Sequence, residues 1–486
     1  MKHVSSITAL FALVFVSACS DSNRVETPVA PEVPVDPPST ATIQVVHASS
    51  NAPAVNVTAG GDVVYADVDY KESPLPISVD AGATLDIGVD AILPGGDTLT
   101  VLELPGQVFE GDLIYTVFAA GNVGDEGDTA LQLIPLTRSK NFVPSDTVRV
   151  TALHAAAGAP EVDIYVTAPG DDLESVDPIN GEIPVAFGDD PLGPLDIPEG
   201  EYRVRITVAG SKTAVAFDSG PVTLEGGTDP IVAAVDNTNA GAAIIEGTEI
   251  PVPVSALVVS RLGVAEILDA RTTAEIRVTH AVPDVGAPVE VLVDGDEVLS
   301  GFEFTGVEGP LPLPGGSYVF QVAVGGLVVI NPPTEDDDGN PVDPVSTTLT
   351  DGVYYDAIAV GSVATENLGL FTAADDRRRL ATAAKLRVIH AAPSVADVDL
   401  YIVDSTITDI SAVDPFNAEP IPYLFNSGYL EVAPGQYNIY VTPAGTKDKA
   451  ISIEGVGLDA AGIYTAIAAI DAEGGVIGLD DEPSIL

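Results

Sequence analysis

The chain has 486 residues, too many for one compact core, with 46% apolar residues, 72 Asp and Glu against 19 Lys and Arg, and a formal net charge of −53. That charge excludes a nucleic-acid partner, because phosphates would be repelled over most of the surface, and the apolar content excludes an acidic disordered tail. A single Cys, a single Met and no Trp further exclude an internal disulfide framework and a Cys-based zinc site.

In chain order, Lys2 and His3 come first, an apolar run follows from Ile7 to Val16, and Ser17 and Ala18 stand directly before Cys19. Positive, apolar and small residues in that order predict a signal peptide over 1–18, and the run falls short of the ~20 residues that span a bilayer. The stretch Val16-Ser17-Ala18-Cys19 resembles the lipobox of bacterial lipoproteins. The resemblance implies that Cys19 is lipidated and opens the mature chain, and that Ser20 after it serves as an outer-membrane address. Residues 19–41 then carry Pro28, Pro31, Pro34, Pro37 and Pro38 with little apolar periodicity, which predicts an extended, semi-rigid tether.

Beyond the signal stand four histidines, His47, His154, His280 and His390, each followed by Ala. Their recurrence about every 110 residues is too long for a solenoid unit and suits whole domains in tandem. Each copy then repeats the same order of elements. Shortly after the His come Val55-Asn56-Val57, Val162-Asp163-Ile164, Val289-Glu290-Val291 and Val398-Asp399-Leu400. A Gly-x-Tyr turn follows at Tyr202, Tyr318 and Tyr437, with Thr84 in its place in the first copy. A closing strand starts at Tyr115, Tyr355 and Tyr464, where the second copy has Asp229. Copies two and four share an insertion, from Ser175 and from Ala412, which points to duplication of a pair.

Short alternating runs rich in Val, Ile and Tyr, broken by Gly and Pro turns, predict an all-β chain of four tandem immunoglobulin-like antiparallel β-sandwich domains. Their predicted spans are 42–140, 146–258, 273–374 and 384–486. The helix-like exceptions are junctions, such as 259–274 and 372–386. The segments from His47, His154 and His390 resemble the bacterial domain-of-unknown-function family numbered 4397, with one extra residue in the copy that starts at His280. The resemblance implies an exported sandwich, often in tandem, and no settled activity.

Strand alternation puts Ile43, Val45 and His47 on one face, as it does Ile276, Val278 and His280, with Gln44, Arg277 and Arg387 on the opposite face. Each His then ends an apolar row, its ring nitrogens bonding nearby backbone; one His per domain is a poor metal set. The Tyr after the tight turn is expected to anchor its hydroxyl to backbone, as in a tyrosine corner, with sugar stacking as the alternative. Asp163 and Asp399 alternate away from apolar neighbours and are expected to face solvent. The run 335–343 offers Asp336, Asp338, Asn340 and Asp343 as hard oxygen ligands for calcium, but Thr334 stands where an EF-hand loop needs Asp. Arg377, Arg378 and Arg379 are expected to be a solvated linker paired with Asp375 and Asp376, or a docking patch for an acidic partner.

No nucleophile elbow, zinc-protease helix, phosphate-binding loop or dinucleotide fingerprint occurs. The sequence therefore predicts a lipid-anchored outer-membrane protein, periplasmic or surface-exposed, without catalytic residues or a required cofactor. It would act as a spacer and binding or adhesion module toward an envelope or extracellular protein or polysaccharide. The alternatives are a calcium-stiffened structural envelope protein and, behind it, an extracellular hydrolase.

Overall fold

The computed structural model describes residues 39–241, 243–245, 248–250, 253–335, 341–469 and 476–480. Among these the only helical elements are two single 3-10 turns, at Gly127–Thr129 and Leu173–Ser175, and strands make up the rest of the regular structure. Four copies of a two-sheet sandwich follow one another, as the alternation predicts, within one compact unit from Ser39 onward.

In the first copy one sheet runs in the order Ile77–Asp80, Thr40–Ala48, Leu113–Ala120, Gln132–Ser139. The facing sheet runs Asp62–Val68, Val55–Ala59, Thr84–Ile92, Thr98–Val108. Ile43 and Val45 from one sheet meet Val55, Val57, Ile87 and Val89 from the other in a single core. Period-two alternation is what delivers these side chains to one face.

The pairing is not antiparallel throughout. In every copy the opening strand, which ends at or just past the His, lies parallel to the closing strand: Gln44 opposite Thr116, Thr151 opposite Ile231, Arg277 opposite Asp356 and Arg387 opposite Thr465. Parallel neighbours need a long crossover, and here nearly the whole copy, including its second sheet, forms that connection. The opening strand is thereby central in its sheet, with both sides hydrogen-bonded.

The sequence junctions that read as helical hold strands and irregular chain, and no helix. Gly263–Ile267 pairs with Val254–Ser260 and makes a fifth strand in the second copy's sheet, which carries that copy past residue 258. Gly369–Asp375 likewise closes the third copy's sheet against Tyr354–Val360. In both places tertiary pairing overrides a weak local preference.

The sheet bearing the His has a second buried face. Val46, Ala48, Phe118, Ala120, Ile134 and Leu136 of copy one pack on Leu153, Ile231, Ala233, Val235, Leu257 and Val259 of copy two. Copies three and four repeat this, joining Ala281, Ile358 and Val360 to Ile389, Ala391, Ile467 and Ala469. Sheets covered on both sides carry near-continuous apolar runs, which accounts for closing strands such as Leu113–Ala120. The copies are thus two back-to-back pairs, one–two and three–four.

Candidate functional site

The four histidines occupy equivalent places. All are at most 2% exposed. Nε2 lies 3.0 Å from the carbonyl oxygen of Pro53 in the case of His47, 3.0 Å from that of Pro160 for His154 and 3.4 Å from that of Ala396 for His390. Nδ1 accepts the backbone N–H two residues on, from Ser49, Ala156, Val282 and Ala392. In His47, His154 and His390 one nitrogen accepting and the other facing a carbonyl define a neutral imidazole with its proton on Nε2. Burial is the main cause that lowers all four pKa values, to about 4 for His47 and for His280.

Each ring also rests against an aromatic residue: Tyr70, Phe187, Phe302 with Phe304, and Tyr423. The residue after Tyr70, Phe187, Phe304 and Tyr423 has positive φ, and its N–H bonds back to the His carbonyl, from Lys71, Gly188, Thr305 and Leu424. That aromatic partner is absent from the sequence reading. Its signal was available, because the four aromatics recur at matching distances from the His once the insertions of copies two and four are allowed for.

Tyr202, Tyr318 and Tyr437 donate their hydroxyls to the carbonyls of Pro198, Pro314 and Ala433, at 2.9, 2.8 and 2.7 Å. The Tyr that opens a closing strand does the converse: Tyr115, Tyr355 and Tyr464 accept from the N–H of Glu110, Thr350 and Asp459. Asp229, which stands there in copy two, instead receives Arg261 at 2.8 Å.

Asp163 and Asp399 do not face solvent; each is 7% exposed. Asp163 accepts Asn180 Nδ2 at 3.0 Å and Gly210 N–H at 2.8 Å, and Asp399 accepts Asn417 Nδ2 at 3.1 Å and Gly445 N–H at 2.8 Å. The same Asn residues accept the N–H of Ile164 and Leu400. The shared insertion therefore caps the free edge of Val162–Thr167 and of Val398–Asp404, where copies one and three place an extra strand. Alternation predicted the direction of these side chains but not the segment that covers them.

Gln44, Arg277 and Arg387 lie opposite the sandwich core and are buried all the same, because the partner copy covers that face. In the three–four pair, Asp356 receives Arg277 Nε at 2.7 Å and Arg387 Nη2, and Asp375 lies 3.5 and 3.4 Å from the same two guanidinium groups. Burial pushes the Asp375 carboxyl up, but Arg387, Tyr429 and Arg377 outweigh it and hold it below the usual carboxylate range. The one–two seam is mostly apolar, with Gln44 Nε2 bonded to the Ser260 carbonyl at 2.9 Å.

The arginine run is not a solvated linker. Arg377 Nε pairs with Asp375 at 2.9 Å, as expected, but Arg378 reaches copy one, bonding Asp69 and the Ala52 carbonyl, and Arg379 bonds the Ala461 carbonyl. Asp376 pairs with Lys385 instead, at 2.6 Å. Asp69, Asp375, Asp376, Arg377 and Arg378 border a cleft of about 330 Å³ where copies one, two and three converge. Tyr70 and Lys71 come from copy one, Thr238 and Asn239 from copy two, Val353, Tyr354 and Asp375 from copy three, and Asp376 to Arg378 from the linker into copy four. Arg377 stacks over Tyr354 at 4.4 Å, and Lys71 and Arg378 lie over Tyr70 at 5.2 and 5.7 Å.

Cys19 and the calcium candidates Asp336, Asp338 and Asn340 fall outside the described residues, and Asp343 is exposed on the surface. Among the described residues no group of three His, Cys, Asp or Glu is arranged to hold a metal ion.

Stacked sandwiches whose signature residues bond mostly to their own backbone define a structural repeat protein of the all-β class. The chain belongs to the family described as Domain of unknown function (DUF4397), whose model matches residues 41–165 and 274–401, together just over half of it. Both matches begin at the opening strand of an odd-numbered copy and end inside the next copy, in step with the pairing of copies. No curated protein matches the chain. Among solved structures it is similar to the Bacillus anthracis TIE protein, at 11% identity over 88% of this chain and 68% of that one, with a TM-score of 0.14. It is also similar to a Bacteroides ovatus mixed-linkage glucan utilization locus protein, SGBP-B, in complex with a heptasaccharide, at 13% identity over 86% of this chain and 93% of that one, with a TM-score of 0.09. Likeness at these scores carries no argument about function.

Proposed function

We propose that this is an outer-membrane lipoprotein anchored through Cys19, whose four packed sandwiches form a non-catalytic binding or adhesion module. The Pro-rich stretch 19–41 supplies the spacing, since its composition favours an extended chain. The packed copies supply the binding. The observation that carries this reading is the three-copy cleft, which exists only because the copies fold onto one another, and whose charged side chains are already oriented by ion pairs and aromatic faces. The sandwich signature residues are occupied with internal bonds, so they are poor candidates for chemistry. The calcium-stiffened alternative draws no support from the described residues.

The test is to express the intact chain and its Cys19→Ser variant with tritiated palmitate. The parent should carry label and sediment with membranes, while the variant loses both. Membrane association without label would refute the anchor. Protease added to intact cells then separates a surface location, where the copies are cut, from a periplasmic one, where they survive until the envelope is opened.

A further inference from the structure

We propose that the three-copy cleft binds a neutral polyhydroxylated ligand, a stretch of uncharged polysaccharide; this rests on reading the chain as an envelope binding module. At about 330 Å³ the cleft lies at the lower end of the ~300–1,000 Å³ common for small-ligand sites, enough for a short length of a longer chain.

Its walls offer acceptors and donors side by side. The carboxylates of Asp69 and Asp376 remain 51% and 64% exposed although each already accepts a cation. Arg377 supplies the complementary group: its side chain lines the cleft and stays 15% exposed there. A sugar hydroxyl both donates and accepts, so one ligand can serve the carboxylates and the guanidinium together.

Charge balance selects against the other classes. Lys71, Arg377 and Arg378 offset Asp69, Asp375 and Asp376 within the lining, so the cleft is near neutral in a chain of net charge −53. An anionic polymer would meet the repulsive field of the whole molecule and two exposed carboxylates in the wall. A cationic one is drawn in by that field but meets Lys71, Arg377 and Arg378 in the wall itself. Arg377 and Arg378 are fixed by their carboxylate partners and by the faces of Tyr354 and Tyr70, so little side-chain freedom remains to be lost on binding.

The experiment titrates the full-length chain in detergent with cellohexaose, maltohexaose, xylohexaose and mannohexaose. Oligogalacturonate and a chitosan hexamer serve as anionic and cationic counterparts, and calorimetry and saturation-transfer NMR are the readouts. At least one neutral oligosaccharide should bind, and Asp376→Asn and Arg377→Gln should each weaken it about ten-fold or more, with the melting temperature unchanged in Asp376→Asn, whose carboxylate is 64% exposed. If Arg377→Gln proves unfolded, Asp69→Asn and Asp376→Asn, both at half-exposed carboxylates, decide the matter alone. Binding confined to the charged oligomers, or neutral binding untouched by the variants, overturns the proposal. Adherence of the same chain to isolated envelopes is measured in parallel. Adherence without any neutral oligosaccharide bound overturns the ligand assignment and leaves the binding module standing; absence of both overturns the two together.

Discussion

Replacing Asp356 by Ala tests whether the buried ion cluster holds copies three and four together. Asp356 is 1% exposed and lies between Arg277, 6% exposed, and Arg387, 1% exposed. Removing it leaves two guanidinium groups without their nearest carboxylate, and breaking a buried pair in this way costs about 3–5 kcal/mol. Asp375 stays 3.5 and 3.4 Å from the same groups and takes up part of the charge, so the lower end of that range, about 3 kcal/mol, is expected. For a cooperative unit of about 200 residues, each kcal/mol moves the midpoint by about 2–4 °C, giving a fall of about 6–12 °C. Scanning calorimetry on the full chain should show this fall in the transition of the three–four pair alone, since the one–two seam has no part in the cluster. The companion variant Arg277→Met, Asp356→Leu, Arg387→Met should recover most of the loss, because apolar side chains of similar volume avoid the desolvation of three charges. Asp375 keeps Arg377 and the Tyr429 hydroxyl in that background. An Asp356→Ala midpoint equal to the parent's, or a triple variant no better than the single one, would show that the charges are hydrated and the reasoning wrong.

The histidines make the fold acid-sensitive. His47 and His280 have pKa values of about 4 in the folded chain against ~6.5 unfolded, so the unfolded chain binds the extra protons between those values. Stability is therefore full above pH ~6.5 and falls as pH drops toward 4, by up to about 1.4 kcal/mol per pH unit for each residue. His280→Gln should flatten the melting temperature against pH in that window, and an unchanged slope would refute the neutral buried state. For the capped edges, Asn180→Ala removes the acceptor of Ile164 N–H and a donor to Asp163, which should cost about 1–3 kcal/mol. Hydrogen exchange should speed up at Ile164 without change in copy four, where Asn417 does the same task; protection left intact at Ile164 would rule out the cap.

Much of the fold was legible because it is local. Ile43, Val45 and His47 point together by strand geometry alone, and the Gly-x-Tyr turns and repeated histidines mark equivalent places in the copies. The parallel pairing of opening and closing strands was not legible, because Gln44 and Thr116 meet across most of a copy and either strand reads the same in either direction. The helix-like junctions misled for the same reason: Gly263–Ile267 is a strand because Val254–Ser260 offers an edge to it.

The candidate site divides along the same line. Composition and spacing by themselves determined the all-β class, the four copies, the acidic surface and the absence of known catalytic motifs, since these depend on residue type and period. Only the tertiary structure decided that Asp163 and Asp399 are capped, that Arg277 and Arg387 are sealed between copies, and that Arg378 reaches Asp69. Burial of a second sheet face requires a partner copy distant in the chain, and a charge is tolerated there only where that partner brings its counter-charge within reach.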